Sequence, residues 1–189
     1  MESLVPGREC GACTACCTHL NIDTEELQKF AGVDCQHLVP QRGCRIYERR
    51  PQACREWYCA WRSMANMPDD WRPDRSGVLV AYTADDIPPH YATRLGLKIS
   101  LIKSQRDIRN PGLVQAIVSF VQADIPVFLL LQGPPGRVAK KRLVNDELRP
   151  LIEARDMKAT EEYLLSCLEA LEREPKEPVV VKYYARMPR

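Results

Sequence analysis

The stretch Cys10-Gly-Ala-Cys13-Thr-Ala-Cys16-Cys17 packs four cysteines into eight residues, separated only by glycine, alanine and threonine. A strand or helix bound for an apolar core would carry branched apolar residues between its cysteines. Small spacers instead leave backbone amides free to face sulfur and admit a bulky inorganic centre. The stretch therefore reads as a metal-binding loop. Cys35, Cys44, Cys54 and Cys59 follow, so eight of the nine cysteines lie in the first third of the chain and only Cys167 lies beyond.

Whether such thiols are ligands or disulfides depends on compartment. The N-terminal Met1-Glu-Ser-Leu-Val-Pro-Gly-Arg8 has no basic region followed by an apolar run, so no secretory signal is expected and the protein reads as cytoplasmic. Dense thiols in a reducing compartment are ligands before they are disulfides. No apolar run approaches the roughly 20 residues that cross a bilayer, so no membrane role is expected. With 27 basic against 25 acidic residues, the net charge of +2 is too small to imply nucleic acid by bulk electrostatics. Hydrophobic content of 45% places the chain among globular proteins.

Along the first third, Asp23-Thr24-Glu25-Glu26-Leu27-Gln28-Lys29-Phe30-Ala31-Gly32 has the signature of a short helix. Asp23 is placed to cap, Glu26 stands three residues on, and Gly32 can end it. Pro51 suits the first turn of a second helix over 52–61 carrying Cys54 and Cys59, with Trp57 and Trp61 sharing a face. The two tryptophans read as core filler. Residues 63–77, rich in Pro, Asp and Arg, read as a linker in which Asp69, Asp70 and Asp74 are solvated turn residues.

The succession CxxCxxCC, then Cys35, then Cys44-Arg-Ile-Tyr-Glu-Arg-Arg-Pro-Gln-Ala-Cys54-Arg-Glu-Trp-Tyr-Cys59, resembles the YkgJ-type cysteine-cluster family, described as a zinc- or iron-chelating domain. The resemblance covers about residues 8–62. It implies that Cys10, Cys13, Cys16, Cys17, Cys35, Cys44, Cys54 and Cys59 form one ligand set, and leaves the reaction open. A related cysteine signature in flagellin lysine methyltransferases implies an iron–sulfur cluster.

The remainder reads as a small α+β domain. Strands are expected at 78–82, 97–102 and 125–131, a helix from Pro111 with Asn110 as cap, and a hairpin turn at Gly133-Pro-Pro-Gly136 leading to a paired strand over 137–144. Two further helices are expected, over 146–155 and 160–174. Cys167 falls in the last and reads as a buried thiol. The tail from Val179 reads as an edge strand or an arm. The expected organisation is thus α+β: an irregular cysteine-rich metal-binding module (1–62), a linker (63–77) and an α+β domain of unknown role (78–189).

Eight thiolates suffice for two tetrahedral four-sulfur sites, or for one four-cysteine cluster with four left over. The Cys10, Cys13, Cys16 spacing is that of a loop wrapping three corners of a [4Fe-4S] cluster, and it favours that cofactor over Zn2+. Cys16 and Cys17 project in different directions, so one of them serves a second centre or remains free. His19 and His37 are weaker ligand candidates. Arg45, Arg49, Arg50 and Arg55 are placed to offset the anionic centre.

No phosphate loop, nucleophile elbow, zincin motif or dinucleotide fingerprint is present. The functional expectation is a cytoplasmic metal-binding accessory protein that meets a protein partner or substrate. The alternatives are an iron–sulfur-dependent enzyme and a structural-zinc module contacting protein or RNA.

Overall fold

The computed structural model describes residues 4–183. Residues 1–3, at the head of the stretch read for a leader, and 184–189, at the end of the tail, lie outside them. The described chain forms two compact units, one of 4–76, 132–138 and 176–183, the other of 77–131 and 139–175. Helix and sheet are both present, as expected of an α+β chain.

The first unit is built from very short elements. Helix α1 (Ala15–His19) carries Cys16 and Cys17. Strands β1 (Ile22–Asp23) and β2 (Gln28–Lys29) then pair antiparallel, with Ile22 opposite Lys29. The helix expected over 23–32 is therefore a hairpin. Its turn closes on itself: Thr24 N–H donates to the Leu27 carbonyl at 2.9 Å, and Leu27 N–H donates back to the Thr24 hydroxyl at 3.1 Å. A short helix has a costly nucleus and needs tertiary packing to survive, whereas this turn satisfies its own main chain. Asp23, freed from capping, accepts the amides of Lys182 and, at 3.0 Å, of Tyr183.

Strands β3 (Leu38–Val39) and β4 (Gly43–Cys44) form a second two-stranded ribbon. Gly43 has φ 86°, and a Cβ there would collide with the Gly11 carbonyl, so only glycine lets the Cys44 ribbon touch the first cysteine loop.

The helix expected over 52–61 is broken into α2 (Gln52–Glu56) and α3 (Ala60–Ser63). Trp57 between them is extended (φ −94°, ψ 129°), so Trp57 and Trp61 do not share a helix face and Cys59 stands at the N-cap of α3. The stretch read as a linker is folded. Met67 is buried, Asp69–Trp71 forms a 3-10 turn, and α4 (Pro73–Ser76) follows.

Arg8 ties these pieces together. Its guanidinium donates to the carbonyls of Trp61 (2.7 Å), Met64 (2.9 Å) and Met67, pairs with Asp69 at 3.1 Å, and lies 5.2 Å from the centre of the Trp61 ring. The apolar core around it is small: Ala15, Leu27, Cys35, Ala60, Trp61 and Met67 are the buried hydrophobic residues among the described part of this unit.

The second unit holds the aliphatic core. Strands β5 (Val78–Thr83), β6 (Gly96–Leu101), β7 (Val127–Leu131) and β8 (Lys140–Leu143) form one sheet in sequence order. The β6–β7 pair is parallel and the outer pairs are antiparallel. The parallel pair is joined through α5 (Pro111–Gln122), capped by Asn110, whose side chain accepts Gly112 N–H at 2.9 Å. Helices α6 (Asn145–Glu153) and α7 (Met157–Arg173) complete the unit, and α7 packs on β7 and β8. Leu164, Leu168 and Leu171 recur at helical spacing along α7 and are buried. The helix begins earlier than expected because Asp156 accepts Ala159 N–H at 2.9 Å. Cys167 is buried, as read from the sequence.

Strands β7 and β8 pair as expected, but residues 132–138 between them belong to the first unit. There Arg137 bridges Pro178 antiparallel, and Val179 N–H donates to the Gly136 carbonyl at 2.9 Å. The described part of the tail thus makes an isolated bridge and no strand.

Asn145, fully buried, supplies a missing rung at the N-terminal end of β7. It accepts Val127 N–H at 2.7 Å and donates to the Ile125 carbonyl at 2.8 Å. Asn145→Ala leaves both main-chain groups unpaired and is expected to cost about 2 kcal/mol. Urea unfolding followed by far-ultraviolet circular dichroism checks this as a lowered midpoint.

Candidate metal centre

All nine cysteines are free thiols. The eight of the first third lie in the first unit, Cys16 and Cys17 in α1, Cys44 in β4, Cys54 in α2 and the others in turns beside these short elements. Cys13 N–H donates to the Cys10 carbonyl at 2.9 Å, and Cys35 N–H donates to the Cys17 carbonyl at 3.0 Å. Sulfur atoms in turn accept amides. His37 N–H reaches Cys35 Sγ at 3.5 Å, the amides of Ala15 and Asp74 reach Cys13, and the Arg62 amide reaches Cys59. Of these amides only that of Ala15 belongs to the small spacers between the first cysteines; those of His37, Arg62 and Asp74 come from elsewhere in the chain.

The thiols also act on one another. Burial raises Cys13 to about 11 and Cys59 to about 12, and neighbouring thiols add to both shifts. Cys16 is raised first by its hydrogen bond with Cys17 and then by burial. Cys54 is raised by burial and by the nearby Cys16, Cys35 and Cys44. Tyr47 is raised by burial and by Cys10, to which it is also hydrogen-bonded. Burial disfavours thiolate charge here, and a bound cation that replaces thiol protons relieves that cost.

Positive charge near the sulfurs does not come chiefly from the expected arginines. Arg45, Arg49 and Arg55 are exposed, and of that group only Arg50 is half-buried, stacked 3.8 Å from the centre of the Tyr47 ring and acting on Cys54. The buried cations are different. Lys29 is 3% exposed, and its ammonium donates to the carbonyls of Thr18 (3.2 Å), Leu20 (2.5 Å) and Phe30 (3.1 Å), with Cys35, Cys17 and Cys16 in its field. Arg62, 8% exposed, lies over the Tyr58 ring and shares the surroundings of Tyr47 with Cys10. Arg72 is held by two bonds of 2.7 Å to Asp74, beside Cys13 and Cys10.

Asp74 is thus no solvated turn residue. Nothing in the sequence could mark it or Arg72, since their link to Cys13 spans some sixty residues of chain and rests on the folding of the supposed linker. Lys29 was hidden by the helical reading of its segment.

The donor set fits a soft metal ion or an iron–sulfur cluster in kind and number. Buried polar atoms without a hydrogen-bond partner among the described residues include His37 Nδ1, Trp61 Nε1 and Arg62 Nε, all in this unit. Unsatisfied N–H groups such as Trp61 Nε1 and Arg62 Nε suit an acceptor-rich anionic centre. No three His, Cys, Asp or Glu side chains among the described residues are already arranged to hold one ion. The fit therefore lies in donor chemistry and neighbourhood, not in a closed polyhedron. His19 sits on α1, where burial lowers its pKa and its carbonyl accepts the Gln132 amide at 2.9 Å. An open cleft of about 640 Å3, lined by Arg8, Gly11, Trp61 and Arg72 among others, flanks the first cysteine loop.

Fold and site together define a class: a two-unit α+β protein with a thiol-rich, aliphatic-poor first unit. Compared with protein-family models, curated proteins and solved structures, the chain matches none of them. Among the described residues no helix is long and apolar enough to cross a membrane.

Replacing Lys29 by Met leaves three inward-facing carbonyls without their ammonium, and is expected to destabilise the first unit by about 2 kcal/mol. Trp57, Trp61 and Trp71 all lie in that unit, so urea unfolding followed by tryptophan fluorescence reports it.

Proposed function

We propose that the first unit is a soft-metal module, holding an iron–sulfur cluster in preference to zinc, and that the protein serves as a cytoplasmic metal-binding accessory protein for a protein partner or substrate. One observation carries this reading. A unit with six buried apolar residues among its described part carries eight free thiols between Cys10 and Cys59, of which Cys13, Cys16, Cys54 and Cys59 are raised by burial and by neighbouring thiols. Units with so little apolar core usually need staples, and without disulfides a metal centre is the staple that thiols can supply. The resemblance of residues 8–62 to the YkgJ-type cysteine-cluster family supports the same reading, as do the amides directed at Cys13, Cys35 and Cys59. When bound, the centre would cross-link the turns and introduce an anionic charge that Lys29, Arg62 and Arg72 balance.

Anaerobic purification followed by metal and acid-labile sulfide analysis tests the proposal. Iron with sulfide is the expected result. Zinc alone moves the reading to structural zinc, and protein that stays metal-free after anaerobic reconstitution overturns it. Cys13→Ala should lose metal and lower the fluorescence-detected unfolding midpoint. Cys167→Ala, whose sulfur lies in the second unit, should leave metal content unchanged; equal loss from both variants contradicts the assignment of the thiols.

A further inference from the structure

Positive charge is spent unevenly along this chain. Cations of the second unit are commonly paired: Arg109 faces Glu161 at 3.6 Å, Lys141 faces Asp86 at 3.0 Å, Arg142 faces Glu174 at 3.3 Å and Arg173 faces Glu169 at 3.6 Å. In the first unit Arg8 pairs with Asp69 and Arg72 with Asp74. The segment from Arg42 to Arg55 is different. It holds Arg42, Arg45, Arg49, Arg50 and Arg55 against Glu48 alone. Arg42, Arg45, Arg49 and Arg55 are exposed, and none of the four side chains has an ion pair or hydrogen bond among the described residues. Arg50 is the exception, with its Nε donating to the Tyr47 carbonyl at 2.9 Å and its guanidinium stacked on the Tyr47 ring. Glu56, next beyond the segment, accepts the Gln52 side-chain amide at 2.7 Å.

These arginines stand on fixed main chain. Arg42 N–H donates to the Val39 carbonyl at 3.0 Å, Arg45 N–H to the His37 carbonyl at 2.9 Å, Arg49 N–H to the Ile46 carbonyl at 2.8 Å and Arg55 N–H to the Pro51 carbonyl at 3.1 Å. A surface whose backbone is already ordered has less to lose when a partner settles on it. Five arginines and one glutamate give the segment +4, whereas the whole chain carries +2, so the remainder sums to −2. Repulsion within so charged a segment opposes folding. Its unpaired cations are therefore accounted for by what they meet, not by what they hold together.

We infer that residues 42–55 form a docking surface for an acidic protein segment, with Arg42, Arg45, Arg49 and Arg55 pairing with Asp or Glu side chains of the partner. The inference rests on the protein partner proposed above and is independent of what the thiols hold. A set made of arginine suits carboxylates, because the planar guanidinium can meet both oxygens at once. Single-stranded nucleic acid instead calls for open aromatic faces beside the cations. Here Arg50 covers a face of Tyr47 and Arg62 a face of Tyr58. A long phosphate backbone would also run beyond the cationic segment onto a chain of opposite net charge.

A fluorescein-labelled peptide of alternating Glu and Gly, read by anisotropy against the full chain, is the probe, with a labelled single-stranded RNA of equal charge beside it. The peptide is expected to bind, and to bind about tenfold more weakly as NaCl rises from about 50 to about 200 mM. The triple variant Arg45→Gln/Arg49→Gln/Arg55→Gln should lose about tenfold in affinity at the lower salt, while Arg149→Gln in the second unit should bind as the unaltered protein does. Metal content measured on the same samples should be equal in the unaltered protein and the triple variant. A triple variant that loses metal along with the peptide overturns the assignment of these arginines to a surface apart from the thiols. So does one that keeps its full affinity for the peptide. Absent or salt-independent peptide binding by the unaltered protein, or tighter binding of the RNA than of the peptide, also overturns the inference, and those results do not depend on how any variant folds. A protein that binds the peptide but takes up no metal removes the metal-binding reading and leaves this one standing.

Discussion

Charge-assisted hydrogen bonds from buried cations to main-chain carbonyls hold the first unit together. Arg8 collects the carbonyls of Trp61, Met64 and Met67, and Lys29 collects those of Thr18, Leu20 and Phe30. Such bonds are about twice as strong as neutral ones and are directional. They therefore fix turns that the six buried apolar residues among the described part of the unit could not fix by burial alone.

The second unit follows the opposite logic. Its sheet and helices bury Ile99, Ile117, Leu129, Leu148 and Leu164 completely, and the fully buried Asn145 completes main-chain pairing within it. This contrast decides what could be read from the amino-acid order. The strands at 78–83 and 96–101 announce themselves as short, largely buried apolar runs, and the Asn110-capped helix and the leucine face of α7 by their helical spacing, so one local pattern suffices for each.

Periodicity has no purchase in the first unit. Residues 23–32 carry a capping pattern and apolar spacing for a helix, yet fold as a hairpin because Thr24 closes a tight turn and Lys29 finds its three carbonyls. Pro51 starts a helix as read, but the chain straightens at Trp57. The density of cysteines in residues 10–59 is visible in the amino-acid order itself. Their surroundings are not: Lys29, Arg62, Arg72 and Asp74 reach the thiols through contacts between segments far apart in sequence, and single-chain pattern carries no trace of such contacts.

The recruitment of 132–138 and 176–183 into the first unit bears on the order in which the chain is made. The cysteines of residues 10–59 are made well before the amides of Lys182 and Tyr183 that bind Asp23 and the Val179 amide that closes on Gly136. The hairpin beside α1 is thus finished only after residues 176–183 have been made, whereas N-terminal units ordinarily fold first. Until then the eight thiols of residues 10–59 stand in a unit that lacks part of its own main-chain pairing.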